Sequence, residues 1–234
     1  LVGREEDLEA GLNQYEYTGR KYELVVDSVD LEESGEVEAA LLVAGRLASS
    51  PVEIRYRMYG GIDRIDVELS LWWRDEKPVR VQMVFPFGEG DVKYGVPFGH
   101  NTLDNIIRGS GPWREGDMDR EIWQKQRECQ GWIAVDSEGG GVVLASDRRA
   151  FEFDDGEVRS DVLRSCPDPA SFSYQRVWRR YPDKVKCRYS IRGYEGDFAR
   201  GKAFQDGMSL NQSLDTRCVY DTQSRKSLPE RMSF

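Results

Sequence analysis

His100 is the only histidine of this chain, and it stands among residues whose side chains can hold a sugar. The indole of Trp113 offers a flat apolar face to the C–H face of a sugar ring. Imidazole, amide, carboxylate and guanidinium groups exchange hydrogen bonds with hydroxyls. The candidate carbohydrate contacts are therefore His100, Asn101, Asp104, Arg108 and Trp113. The competing interpretation of this segment is a structural loop that packs against another domain.

The sequence offers little material for catalysis. A Ser-His-Asp or Cys-His triad would have to use His100, and no Gly-x-Ser-x-Gly motif is present. One histidine and four scattered cysteines (Cys129, Cys166, Cys187 and Cys218) cannot build a His-rich or Cys-x-x-Cys zinc site. A pair of carboxylates for glycoside hydrolysis stays open, but strand alternation gives it no location. We therefore assign no catalytic residue and no metal or cofactor to this chain, and we expect reduced thiols in a cytoplasmic setting.

The charge balance argues against two classes of partner. The chain carries a formal net charge of −9 at pH 7, which disfavours nucleic acid because phosphates are neutralised by basic clusters. Its apolar runs, such as Ala39–Ala44, are far shorter than the ~20 residues that span a bilayer, so no membrane partner is expected. The first residue is Leu1 rather than Met, from which we expect a fragment of a longer protein.

Apolar and polar residues alternate with a period of two in several segments. The clearest are Val52–Met58, Ile65–Leu71 and Val185–Ile191, and Gly131–Asp136 with Gly141–Ser146 is typical of a hairpin. This period predicts an all-β fold of antiparallel strands with one solvated face. Further strands are predicted at Glu23–Val29, Glu36–Arg46, Val79–Pro86, Val158–Arg164 and Phe172–Trp178.

Other parts of the chain lack this pattern. Leu1–Arg20 is predicted to be mostly irregular, and Asp197–Phe204 to hold a helical turn. Phe87–Gln130 is rich in glycine and charge and is predicted to be a long irregular segment. Because binding residues concentrate in loops on a rigid sheet, any sugar contact is expected within Phe98–Trp113.

Read in order, several segments resemble the C-terminal β-domain of glycoside hydrolase family 38, the α-mannosidases. Tyr59–Val67 followed by Leu71-Trp72-Trp73 is similar to a strand pair of that family. Further similar motifs are Asn13–Tyr17, Glu36–Val43, Val81–Phe87, Tyr94–Gly99, Gly141–Ala145 and Val162–Pro169. Two departures stand out. His100-Asn101-Thr102 replaces an Arg-Pro pair of the family, and Phe172–Gln175 replaces a segment with a histidine. The family's sugar contacts are therefore not transferred to this chain.

The resemblance implies an antiparallel β supersandwich similar to the galactose-mutarotase-like fold, with residues 1–234 forming one domain. In this family the catalytic aspartate and the zinc ligands lie in N-terminal domains, which this sequence does not contain. The implied function is an accessory β-domain that supports the catalytic domain of the same polypeptide and helps to line its substrate cleft. A mannoside or another oligosaccharide is the candidate ligand.

Two alternatives remain open. One is a stand-alone carbohydrate-binding or aldose-acting module that uses His100 and nearby acids, although a mutarotase mechanism needs more than one histidine. The other is a structural or interaction domain that binds no sugar.

Overall fold

The computed structural model describes residues 1–7, 16–75, 79–103, 126–164 and 184–212. Most of these residues lie in two antiparallel sheets, which confirms the all-β prediction. The six-stranded sheet has the order β10-β13-β14-β7-β1-β2, and the nine-stranded sheet the order β3-β4-β5-β6-β15-β12-β11-β8-β9. The strands are β1 Val2–Asp7, β2 Glu16–Glu23, β3 Val25–Ser34, β4 Glu38–Leu47, β5 Ser50–Tyr59, β6 Ile62–Leu71, β7 Val79–Pro86, β8 Asp91–Val96, β9 Gly99–Thr102, β10 Gln126–Glu128, β11 Trp132–Ser137, β12 Gly140–Ser146, β13 Ala150–Asp154, β14 Glu157–Arg164 and β15 Val185–Glu195; the helices are α1 Phe198–Gly201 and α2 Ala203–Asn211.

The alternation seen in the sequence sets the register of the nine-stranded sheet. Val67 of β6 lies opposite Tyr56 of β5 and Tyr189 of β15, so all three side chains share one face. A slip by one residue would turn this whole set toward solvent, so the buried face specifies the register strongly.

The two sheets pack face to face around a common core. The ring of Phe85 in the six-stranded sheet meets the ring of Tyr189 edge-on, with 5.1 Å between centroids. The buried Tyr189 hydroxyl donates a 3.1 Å hydrogen bond to Ser160 Oγ across the same interface. Truncating a buried aromatic residue such as Phe85 to alanine costs about 3–5 kcal/mol in comparable cores.

The outer face of the six-stranded sheet carries a buried cluster of charges. Arg80 is only 2% exposed and binds Asp161 through two hydrogen bonds of 2.9 and 3.0 Å. A third nitrogen of Arg80 lies 2.6 Å from Glu152, which also accepts a 3.1 Å hydrogen bond from Arg159. Gln82 donates a 3.0 Å hydrogen bond to Asp161. Mutual hydrogen bonding offsets the cost of taking these charges out of water.

Some segments that the sequence predicts to be irregular form strands. Within Leu1–Arg20, β1 pairs with β7, as in the pairing of Gly3 with Val81. Within Phe87–Gln130, β8 pairs with β11 and β9 pairs with β8. These segments form strands because their backbones pair with well-formed neighbouring strands. Their own side chains show little alternation, so the sequence gives no strand signal there.

Smaller differences concern single elements. Glu23–Val29 is divided at Leu24 between β2 and β3, which lie in different sheets, and β13 was not predicted. The helical turn predicted at Asp197–Phe204 becomes two helices, α1 and α2. The predicted strand Phe172–Trp178 lies outside the described residues.

Two described cysteines, Cys129 and Cys187, are buried free thiols. Burial raises the pKa of Cys187 to about 11 and also raises the pKa of Cys129. Both thiols are therefore protonated near neutral pH, the state in which cysteine is a poor nucleophile and a poor metal ligand. Among the residues that the structure describes, no three His, Cys, Asp or Glu side chains cluster as a metal site would require. None of the described helices has the length and apolar character needed to cross a bilayer.

Candidate functional site

A cleft of about 800 Å³ opens on the outer face of the nine-stranded sheet, the face that points away from the six-stranded sheet. Its sides come from the β8–β9 hairpin, from the segments that flank β11 and β12, and from α1 and α2. This volume lies within the ~300–1,000 Å³ typical of small-molecule sites. The lining residues that carry its chemistry are Phe98, His100, Trp132, Arg149, Phe198 and Asn211.

Strand register decides which predicted contact reaches this outer-face cleft. His100 of β9 lies opposite Gly95 of β8, and Asn101 lies opposite the buried Tyr94. Because directly opposed residues share a face, His100 points to the cleft side and Asn101 to the core side. The structure therefore separates these two adjacent candidates.

Gly95 makes room for the indole of Trp132 beside His100. A Cβ atom at position 95 would collide with the carbonyl oxygen of Gln130 and would lie 2.8 Å from Trp132 Nε1. No side chain fits there without displacing the ring. Glycine at this position therefore lets Trp132, itself buried, reach the wall of the cleft.

Phe198 of α1 is the central aromatic contact of the outer-face cleft. Its ring stacks on that of Trp132 at 6.2 Å with an interplanar angle of 15°, and it lies 4.6 Å from the His100 ring. Lys93 Nζ sits 5.1 Å from the Phe198 centroid, within the range of a cation–π interaction. The position of the ring follows from the helix start, where Asp197 Oδ1 accepts a 2.9 Å hydrogen bond from Arg200 N.

An ion pair ties α2 to the sheet. Arg192 of β15 reaches Asp206 of α2 with 2.6 Å between Nη2 and Oδ2, and the same guanidinium donates to the carbonyl oxygen of Gly201. Hydrogen bonding to Asp206 raises the pKa of Arg192, so the guanidinium keeps its charge. The helical side of the cleft is thus fixed to a core strand.

Two glycines bring the helices down to the sheet. A Cβ at Gly201 would lie 2.6 Å from the ring of Tyr194. A Cβ at Gly207 would lie 3.0 Å from the backbone of Gly131 and 3.0 Å from Trp132 Cδ1. Both helices therefore pack at a distance that larger residues would not permit.

A polar group of three side chains lies beside Phe198 on the same sheet face. Asp136 accepts hydrogen bonds from Lys93 and from the hydroxyl of Tyr194. Burial, followed by the hydrogen bond to Asp136, raises the pKa of Tyr194. The phenol therefore stays protonated and acts as a hydrogen-bond donor rather than as a base.

The polar wall of the outer-face cleft is rich in arginine. Asp147 lies 3.6 Å from both Arg148 and Arg188, and its carboxylate accepts a 3.1 Å hydrogen bond from Arg188 N. Arg149 is exposed on the same wall. Asn211 donates from Nδ2 to the carbonyl oxygens of Ser146 and Gly207, both at 2.9 Å, which leaves its amide oxygen as an acceptor for a ligand.

Of the predicted contacts, His100 lines the outer-face cleft and Asn101 does not. Asp104, Arg108 and Trp113 lie outside the described residues. Phe198, Arg149 and Asn211 were not among the contacts predicted from the sequence. Asp197 before a short amphipathic stretch was a helix signal, but nothing in the sequence indicated that this helix lies beside β9.

These groups can bind, but they do not form a known catalytic set. The aromatic rings give apolar faces, and the arginines and amides give hydrogen-bonding partners. The described thiols are buried and protonated, and the Tyr194 hydroxyl is engaged by Asp136.

Comparison with protein-family models found no match, and comparison with curated proteins found none either. Solved structures do match. A glycosyl hydrolase family 38 protein from Enterococcus faecalis aligns with a TM-score of 0.65 at 10% sequence identity. An alpha-mannosidase from Enterococcus faecalis V583 aligns with a TM-score of 0.67, also at 10% identity.

Both alignments cover 89% of this chain. The chain spans only 28% and 27%, respectively, of those longer chains. The predicted resemblance to the family 38 α-mannosidases is thus confirmed in the fold: this chain has the architecture of a β-sheet region within two such structures.

Proposed function

We propose that this chain is an accessory β-domain of an α-mannosidase-like glycoside hydrolase, non-catalytic by itself, which supports a catalytic domain of the same polypeptide and helps to line its substrate cleft. The observation that carries this proposal is the fold alignment over 89% of the chain to about a quarter of each family 38 structure. A zinc ion would belong to the catalytic domain and not to this chain. A galactose-mutarotase-like relationship and a cytoplasmic setting, favoured by the free thiols of Cys129 and Cys187, belong to the same proposal.

An exposed apolar surface supports the accessory role. Val29 and Leu31 of β3, Leu41 of β4 and Met58 of β5 are all exposed, Leu31 at 65% and Met58 at 55%. Leu31 lies opposite Leu41, and Val29 lies opposite the half-buried Val43, whose side chain packs on the core. These side chains therefore lie on the face of the nine-stranded sheet that elsewhere packs against the six-stranded sheet. We call Val29, Leu31, Leu41 and Met58 the overhang patch.

A contiguous exposed apolar surface of this kind marks an interaction site. Self-association through the adjoining edge strand β3 is disfavoured, because Asp30 and Glu33 would be brought close to the acidic residues of a second copy. In the accessory role, the overhang patch is the surface that packs against the catalytic domain.

The proposal is tested on the native polypeptide, immunopurified from its source with an antibody against this domain. We expect an intact mass well above 26.9 kDa and α-mannosidase activity in the same fraction. A native polypeptide of 26.9 kDa without associated mannosidase activity would refute the accessory role.

A matched pair of variants tests the overhang patch. Leu31→Asp should lower the thermal midpoint and activity of the full native polypeptide but leave the isolated chain unchanged, since Leu31 is exposed there. Val37→Asp, at an exposed residue between β3 and β4, is the control and should change neither. If both substitutions changed the thermal midpoint and activity of the native polypeptide equally, the overhang patch would not be the surface that packs against the catalytic domain.

A free carbohydrate-binding module is the second candidate function. The aromatic rings of the outer-face cleft favour it, and it needs no catalytic domain. A native polypeptide of 26.9 kDa that binds sugar would support the carbohydrate-binding module over the accessory domain.

A further inference from the structure

Phe98 holds an unusual position at the mouth of the outer-face cleft. It lies in the turn between β8 and β9, with a φ of 65°, and its ring is fully exposed. A residue with a Cβ atom pays about 1–3 kcal/mol for such a left-handed conformation, which glycine adopts freely. An exposed phenyl ring recovers none of that energy through packing in this fold.

Unfavourable backbone geometry of this kind concentrates at binding and catalytic sites. The next residues along the hairpin, Gly99 and His100, line the cleft together with Phe98. Phe98 is thus placed to cover a ligand that enters between the β8–β9 hairpin and α2. Its aromatic face would be buried only when that ligand is present.

The interior of the cleft complements Phe98. Phe198 and the exposed Phe204 and Met208 provide further apolar surface, and Arg149 and Asn211 provide a donor and an acceptor. A ligand that contacts both the apolar side chains and the hydrogen-bonding side chains must carry apolar C–H faces and hydroxyls on one ring. Polyanions are disfavoured by the net charge of −9, and a purely apolar ligand would cover Arg149 and the amide of Asn211 without replacing their hydrogen bonds to water.

We propose that the outer-face cleft binds a neutral pyranoside, with Phe98 as the stacking platform and Arg149 and Asn211 as hydroxyl partners. This site shares Phe98 and His100 with the segment in which the sequence predicts sugar contacts, but its stacking platform is Phe98 rather than Trp113, and Arg149 and Asn211 are added to it. It requires no catalytic domain, so it stands or falls independently of the accessory role.

The test is a titration of the whole 234-residue chain with methyl α-D-mannopyranoside and methyl α-D-glucopyranoside, followed by amide chemical shifts in NMR. We expect saturable shifts at millimolar sugar, centred on residues of β9, β11 and α2. Phe98→Ala should weaken binding about tenfold, the loss expected for one ring-stacking contact. Val37→Ala, at an exposed residue outside the cleft, should leave affinity unchanged.

A second variant separates recognition from folding. Phe98→Gly removes both the ring and the backbone strain, so it should raise the thermal midpoint by about 2–4 °C while it weakens binding about tenfold, as Phe98→Ala does. Absence of saturable shifts with both sugars would overturn the proposal, and so would unchanged affinity in Phe98→Ala or a lowered midpoint in Phe98→Gly.

Discussion

Gly207 of α2 and Gly131, which immediately precedes β11, meet backbone to backbone: a Cβ atom on Gly207 would lie 3.0 Å from the carbonyl carbon and oxygen of Gly131. Gly131 itself has a φ of +79°, which favours glycine. This contact sets the distance between α2 and the sheet, and with it the width of the outer-face cleft. Because the contact atoms belong to the backbone, neither glycine can move aside as a flexible side chain would.

Gly207→Ala should therefore destabilise the fold. Alanine gains about 1 kcal/mol over glycine in a helix, but overpacking against backbone costs about 1–3 kcal/mol. We expect a net loss of about 1 kcal/mol in the free energy of unfolding, measured by urea denaturation. Gly193→Ala, where a Cβ would meet only Gly141 O at 4.0 Å, is the control and should not destabilise. A more stable Gly207→Ala variant would show that this contact does not limit helix packing.

Arg80→Met should be one of the most damaging single substitutions in the six-stranded sheet. It leaves Asp161 without its guanidinium partner and Glu152 with Arg159 alone, and removing one partner of a buried pair costs about 3–5 kcal/mol in comparable cases. The thermal midpoint should fall sharply. Arg46→Met, which removes an exposed ion pair with Asp27, should leave the midpoint nearly unchanged. Similar midpoints for the two variants would mean that the charges at Arg80 are not buried as described.

Stability should fall in alkaline solution. The pKa of Cys187 is raised to about 11 in the folded chain, and burial also raises the pKa values of Cys129 and Tyr189. A raised folded-state pKa stabilises the native state below the unfolded-state pKa, and this contribution is lost as pH rises through the folded value.

The free energy of unfolding, measured with reductant present, should therefore decrease between about pH 9 and pH 11. Each such group contributes at most about 1.4 kcal/mol per pH unit. Cys187→Val removes one of these groups and should make the decrease shallower. An identical pH dependence in the variant and the parent chain would contradict the burial of this thiol.

The strands with one buried and one solvated face were predictable from the sequence. The other strands form because they pair with strands that are distant in the sequence. Val52–Met58 and Ile65–Leu71 alternate cleanly because one face is buried, so their period identifies β5 and β6. β1 and β9 carry no such signal, since their place is decided by the partner strands β7 and β8. The sequence predicts sugar contacts for both His100 and Asn101, but only the strand register shows that these two side chains lie on opposite faces of the sheet. Phe198 reaches the cleft because α1 packs against strands that lie about 100 residues earlier in the sequence (β9) and about 65 residues earlier (β11). No local sequence pattern indicates that packing.

The non-catalytic role is tested by comparing the isolated 234-residue chain with the native polypeptide in one assay of aryl α-mannoside hydrolysis, with and without added zinc. We expect no turnover by the isolated chain under either condition, and turnover by the native polypeptide that is lost on chelation. Zinc-dependent hydrolysis by the isolated chain would contradict the non-catalytic role, and an inactive native polypeptide would contradict the α-mannosidase-like assignment.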